Sequence, residues 1–127
     1  GAFTVSYPRP DDILDASLAA APRNAEGDKP SLTDIDTVDA DAVDAPAVAG
    51  AYGVLECELD RIVEFDDGEL IAGTVVGKHV HTDAYRSDDS EPETLLEQAP
   101  VLAHLYPDRF ASIDESQAFP FPEGFER

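Results

Sequence analysis

The stretch Gly53–His81, GVLECELDRIVEFDDGELIAGTVVGKHVH, constrains this chain more than any other. It predicts two long strands joined by a tight turn. Val54, Leu55, Cys57, Leu59, Ile62, Val63 and Phe65 supply the apolar content of the first strand; Leu70, Ile71, Val75, Val76 and Val80 supply that of the second. Between them Asp66-Asp67-Gly68-Glu69 has turn chemistry, because Gly68 can take a positive φ without strain and aspartates tolerate left-handed backbone. Leu55, Cys57 and Leu59 alternate with Glu56, Glu58 and Asp60, as expected of a strand with one wet face. The alternation slips at Arg61-Ile62, where a bulge would let two residues oppose one.

The remaining elements are shorter. AFTVSY at Ala2–Tyr7 alternates as a strand with Phe3, Val5 and Tyr7 on one side, and Pro8-Arg9-Pro10 ends it. Asp11 or Asp12 can cap a helix whose apolar stripe is Ile13, Leu14, Ser17, Leu18 and Ala21, closed by Pro22. A polar loop follows over 23–29. SLTDIDTVDADAVD at Ser31–Asp44 suits a short helix capped by Ser31 and an irregular connection, and PAVAGAY at Pro46–Tyr52 a short strand. After an acidic loop, Ser90-Glu91-Pro92-Glu93 has the pattern of a capping box. It would start a helix with Leu95, Leu96 and Ala99 on its apolar side. Val101, Leu102, Leu105 and Tyr106 read as a second buried helical piece beyond Pro100, and Arg109–Ile113 as a short strand. The tail AFPFPEGFER is an extended Phe/Pro segment. Strands outnumber helices, so the fold class is mainly β (α+β), and residues 1–127 form a single domain by length. Two sheet edges have no covering segment in the sequence, which predicts pairing with something else.

Charge limits the partners. The chain has 28 Asp and Glu against 8 Lys and Arg, a formal net charge of −20. Phosphate backbones would be repelled, so nucleic acid is excluded as a partner. With 43% apolar residues and clear strand patterning, a folded protein suited to a high-salt cytoplasm fits better than a disordered acidic segment. No apolar run is long enough to span a bilayer and no secretory signal is present, so no membrane partner and a cytoplasmic location are expected. Cys57, the single cysteine, excludes an internal disulfide and reads as a buried structural thiol. The chain has no Met and opens at Gly1 just ahead of a strand, as expected of a processed product or fragment.

No nucleotide-binding glycine loop, zinc-protease or serine-hydrolase motif occurs. His79 and His81, two apart on a strand, point to one face and to the side of Val75. They suit a metal pair only with further ligands. They also suit donors beside an anionic or heteroaromatic ligand, or two surface histidines at a strand end. His104 lies in an apolar helical stretch and reads as structural. Lys29 and Ser31, in GDKPS next to a helix start, suit a phosphate contact; a loop salt bridge is the competing reading. Arg61 is expected to pair with a carboxylate on a neighbouring strand. The carboxylates are too numerous to single out a general acid or base.

Leu55-Glu56-Cys57, the acid-rich turn and IAGTVVGKHVH at Ile71–His81 together resemble the flavin reductase-like family of FMN-binding split barrels. The opening GAFTVSYPRP, the small-residue connection before the hairpin and the region ending at Tyr106 extend the resemblance, and the acidity is that of a haloarchaeal member. The resemblance implies a split β-barrel of the FMN-binding type with peripheral short helices, represented by the later part of the domain. The family's earlier strands and its Ser/Thr-rich loop have no counterpart here, so the barrel is expected to be incomplete in this chain and completed as a homodimer or by another chain. The function implied is that of an FMN-binding, NAD(P)H-dependent flavin reductase-like oxidoreductase, with flavin and nicotinamide as small-molecule partners. A non-catalytic FMN-binding electron-transfer protein and a cofactor-free interaction fragment are the alternatives. By the same resemblance, Ser6, Arg9, Lys29, Ser31, His79 and His81 are the expected cofactor-binding residues, and no metal is expected.

Overall fold

The computed structural model describes residues 1–87, 92–118, 120 and 122–124. Its frame is an antiparallel three-stranded sheet in which β4 (Gly53–Phe65) lies between β1 (Ala2–Tyr7) and β5 (Gly68–Val80). The small strands β2 (Thr37–Asp39) and β3 (Pro46–Val48) pair with each other. β6 (Val101–Leu105) and β7 (Arg109–Ile113) form a second hairpin. α1 (Ile13–Ala20) follows β1, and α2 (Pro92–Gln98) precedes β6. The mainly β class is therefore as expected, and the described sheets do not close on one another.

The main hairpin forms where its alternation and turn residues place it, with three differences. The loop is Asp66-Asp67, closed by the Phe65–Gly68 pair, and Gly68 does not use positive φ. The extra residue on β4 is Asp60, skipped between the Leu59–Gly73 and Arg61–Ala72 pairs, one position before the expected slip. A second irregularity skips Val76 on β5, between the Glu56–Gly77 and Cys57–Val75 pairs. An extra residue reverses the facing of everything beyond it. His79 consequently shares a face with Val54 and Glu56, not with Val75.

Other expectations are corrected by packing. Glu56, read as part of a wet face, is fully buried, while Cys57 is a buried free thiol as expected. The residues 101–106 are not a buried helical piece: 101–105 are a strand, Val101 and Leu105 are exposed, and Tyr106 is almost wholly in solvent. His104 is thus a strand residue whose ring lies 5.1 Å from that of Phe110, its partner across the hairpin. Ser31 does not cap a helix; it lies inside the 3-10 turn Pro30–Asp34. Asp12 does occupy the position before α1, but its carboxylate accepts the Arg9 N–H at 2.8 Å. Arg61 makes no ion pair among the described residues. The capping box at Ser90-Glu91-Pro92-Glu93 and part of the Phe/Pro tail lie outside the described residues and side chains.

β1 is bound to β4 on one side and to β3 through side chains on the other. Thr4 Oγ1 donates to the Pro46 carbonyl at 2.5 Å, and Ser6 Oγ accepts the Val48 N–H at 3.1 Å. These two bonds set the β2–β3 pair against the main sheet and open a cleft between them.

Candidate functional site

The cleft has a volume of about 310 Å³, within the range of small-molecule sites. Its walls are Val38–Asp41, Ala47, Val48, Gly50 and Ala51 on one side, and Val54, Glu56 and His79–His81 on the other. Val38, Val48, Val54 and Val80 make much of it apolar; Glu56 and the two histidines supply polar chemistry.

Glu56 is the organising residue. Its Oε2 accepts the Ala42 N–H at 2.5 Å, and its Oε1 accepts the Asp41 N–H at 3.3 Å and lies 2.6 Å from His79 Nε2. These contacts come from a loop about fifteen residues upstream and a strand more than twenty downstream, so one carboxylate ties three segments together. The Ala42 N–H does most to hold its carboxyl below the usual carboxylate range; burial works against this, and the Asp41 N–H and His79 add to the lowering. Gly77 permits the close packing. A Cβ there would stand 3.2 Å from both Glu56 Cδ and Ala42 Cβ.

Asp41 Oδ2 lies 3.6 Å from the same His79 nitrogen, and one ligand atom from each of Asp41, Glu56 and His79 falls within 4.8 Å of the others. Two carboxylates and an imidazole are ligands a divalent cation uses. Here both Glu56 oxygens already accept N–H groups, whereas the Asp41 carboxylate is exposed.

The six residues singled out in the sequence separate into two groups. His79 and His81 line the cleft. His81 Nδ1 accepts the Asp83 N–H at 3.2 Å, capping the 3-10 turn Thr82–Ala84. Arg9 reaches the cleft rim: Nε donates to the Gly50 carbonyl at 2.7 Å, Nη1 pairs with Asp83 Oδ2 at 3.1 Å, and the guanidinium lies 4.4 Å from the Tyr52 ring centroid. Ser6 serves the β1–β3 contact described above. Lys29 Nζ donates to the Ala19 carbonyl, and Ser31 Oγ to that of Leu18 at 2.9 Å. Both bind carbonyls at the C-terminal end of α1, that of Leu18 also accepting the Ala21 N–H, and neither lines the cleft. Glu56 was missed because period-two alternation assigns it to solvent. The signal available was its place between Leu55 and Cys57 in an otherwise apolar run.

The donor set discriminates between the two ends of an FMN molecule. Apolar walls with imidazole and backbone groups fit a flat heteroaromatic ring. A phosphate dianion fits poorly, because the lining has the carboxylates of Asp39, Asp41 and Glu56 and neither Lys nor Arg.

A sequence model described as the flavin reductase like domain matches residues 1–111. No match was found among curated proteins. Among solved structures, flavoredoxin of Desulfovibrio vulgaris (Miyazaki F) is 25% identical, with 98% of this chain and 66% of that one covered at a TM-score of 0.67. Flavoredoxin from Methanosarcina acetivorans is 13% identical over 95% of this chain and 62% of that one, TM-score 0.70. The FMN-binding protein from Thermus thermophilus with bound p-hydroxybenzaldehyde is 17% identical over 92% and 60%, TM-score 0.67. The fold is thus that of the split-barrel proteins, and the chain spans about three fifths of the length of the solved structures it matches.

Proposed function

This chain belongs to the flavin reductase-like family, and from that premise we propose that it binds FMN and takes part in NAD(P)H-dependent flavin reduction. The observation that supports this best is the cleft between the β2–β3 pair and the His79 end of β5, whose apolar walls and two imidazoles suit a flavin ring. The FMN-binding protein of similar fold from Thermus thermophilus supports the choice of cofactor. Bound flavin supplies a hydride-accepting ring, so the chain needs no nucleophile. Its own residues have three tasks. Val54 and Val80 cover the ring and keep water from it. His79 and His81 meet its polar edge. Arg9, bound to Gly50 and Asp83, fixes the loop that forms the rim. Completion of the site by a second copy of the chain, as a homodimer, belongs to the same proposal.

The test is a visible absorption spectrum in high salt before and after FMN is added, repeated after desalting, followed by NADH and NADPH oxidation with FMN present. Flavin bands that persist and nicotinamide that is oxidised are expected. Persistent bands without oxidation would favour a non-catalytic FMN-binding electron-transfer protein, the reading to which the 25% identical flavoredoxin points. Loss of all flavin on desalting, with no oxidation, would overturn the proposal in favour of a cofactor-free interaction domain.

A further inference from the structure

The FMN reading leaves open which part of the flavin His79 meets. Resting on that reading, we propose that Glu56 is a positioning residue. It holds His79 with Nε2–H directed to the cleft floor, so that Nδ1 accepts a hydrogen bond from the imide N–H of the flavin ring and does not serve the phosphate.

An ionised carboxylate only accepts, so the proton in the 2.6 Å contact between Glu56 Oε1 and His79 Nε2 belongs to the histidine. Glu56 cannot turn away, because Ala42 and Asp41 N–H groups hold both its oxygens and it is fully buried. With its proton on Nε2, the neutral form of His79 has Nδ1 as a lone pair. No described residue bonds that atom, and the side chain is about half exposed on the cleft. His81 is fixed in the complementary way. Its Nδ1 lies 3.2 Å from the Asp83 N–H, which it can accept, and 3.4 Å from Asp83 Oδ2; with Nδ1 accepting, the proton of a neutral ring is on Nε2 and can be donated. In these neutral tautomers the two histidines lining the cleft carry an acceptor and a donor, the complement of an imide edge in which an N–H stands beside carbonyl oxygens. The carboxylates of Asp39 and Asp41 on the facing wall disfavour a phosphate dianion in the same place.

Two phosphate-free probes test this: lumiflavin and its N3-methyl derivative, titrated by fluorescence quenching in high salt. The unaltered chain is expected to bind lumiflavin about tenfold or more tightly than the N3-methyl compound, because methylation removes the donor and leaves Nδ1 unpaired. His79→Ala should abolish that preference, and Glu56→Gln should reduce it. Equal binding of the two probes by the unaltered chain, or a preference that survives His79→Ala, overturns the proposal. If the unaltered chain binds neither probe nor FMN, the FMN reading fails and the ligand assignment fails with it. The positioning role is then decided by nitrogen-15 NMR of the His79 ring. A slowly exchanging Nε2–H resonance that Glu56→Gln removes supports it; absence of that resonance in the unaltered chain overturns it. If Glu56→Gln does not fold, the His79→Ala arm, on a half-exposed residue, decides the ligand assignment.

Discussion

A buried carboxylate costs free energy unless its oxygens find donors, and at Glu56 the donors are the Ala42 and Asp41 N–H groups and His79. These contacts favour the charged form, so the folded state holds this proton less tightly than the unfolded chain. As pH falls below the ordinary glutamate value of 4.5, the unfolded chain takes up the proton first. The stability contributed by Glu56 is therefore complete above that value and lost as pH falls through the lower folded one. Between about pH 5 and pH 3 the urea midpoint of the native chain should fall more steeply than that of Glu56→Gln. Parallel slopes would mean that Glu56 contributes nothing specific. Period-two alternation could not expose this residue, and its place between Leu55 and Cys57 was the one local signal. Its donors lie on a loop whose approach depends on the β1–β3 contacts at Thr4 and Ser6, and period-two alternation is blind to distant N–H groups.

At the scale of elements, two glycines on β5 behave oppositely. Gly73 sits beside the Asp60 bulge, where a Cβ would fall 2.6 Å from the Glu58 carbonyl oxygen and 2.7 Å from the Phe3 ring. Gly68 has nothing within 4 Å of a Cβ and no positive φ. Gly73→Ala should therefore destabilise by roughly 1–3 kcal/mol through overpacking. Gly68→Ala should be neutral or stabilise by about 0.5 kcal/mol, since it narrows the unfolded ensemble. Thermal unfolding of the two variants checks both signs. The hairpin containing these glycines was legible because its apolar residues alternate over many positions and Asp66-Asp67-Gly68 marks one turn. VLAHL at Val101–Leu105 was not, because a five-residue apolar run fits a strand or a helix equally well. The TVD strand at Thr37–Asp39 is too short and polar for periodicity to register, and it becomes a strand only by pairing with Pro46–Val48. The site was half legible for the same reason. His79 and His81 were visible from their spacing, while their facing depended on the skipped residue Val76.

For the whole molecule, what is buried and what is exposed are out of proportion. Among the described residues the buried apolar ones are Ile35, Ala47, Ala51, Cys57 and Ala99, whereas Ile62, Phe65, Leu70, Ile71 and Val75 along the hairpin are exposed. β1 and β5 are the sheet's two edges, and β5 leaves its outer side without a strand partner among the described residues. Apolar surface and an open edge on one arm suit association with a second copy of the chain. Charge opposes it, since two chains of −20 repel until salt shortens the screening length from about 10 Å at 0.1 M to about 3 Å at 1 M. Both forces can be read in one experiment. Light scattering after gel filtration should give twice the chain mass in about 2 M KCl and a shift toward monomer near 0.05 M, with the thermal midpoint falling in step. Phe65→Lys with Ile71→Lys should give monomer in high salt although it lowers the net negative charge, which separates loss of apolar contact from charge repulsion. A native chain that is monomeric at every salt concentration would remove the second copy from the proposed site. FMN retention by such a monomer would place the whole binding surface on the cleft of Glu56, His79 and His81.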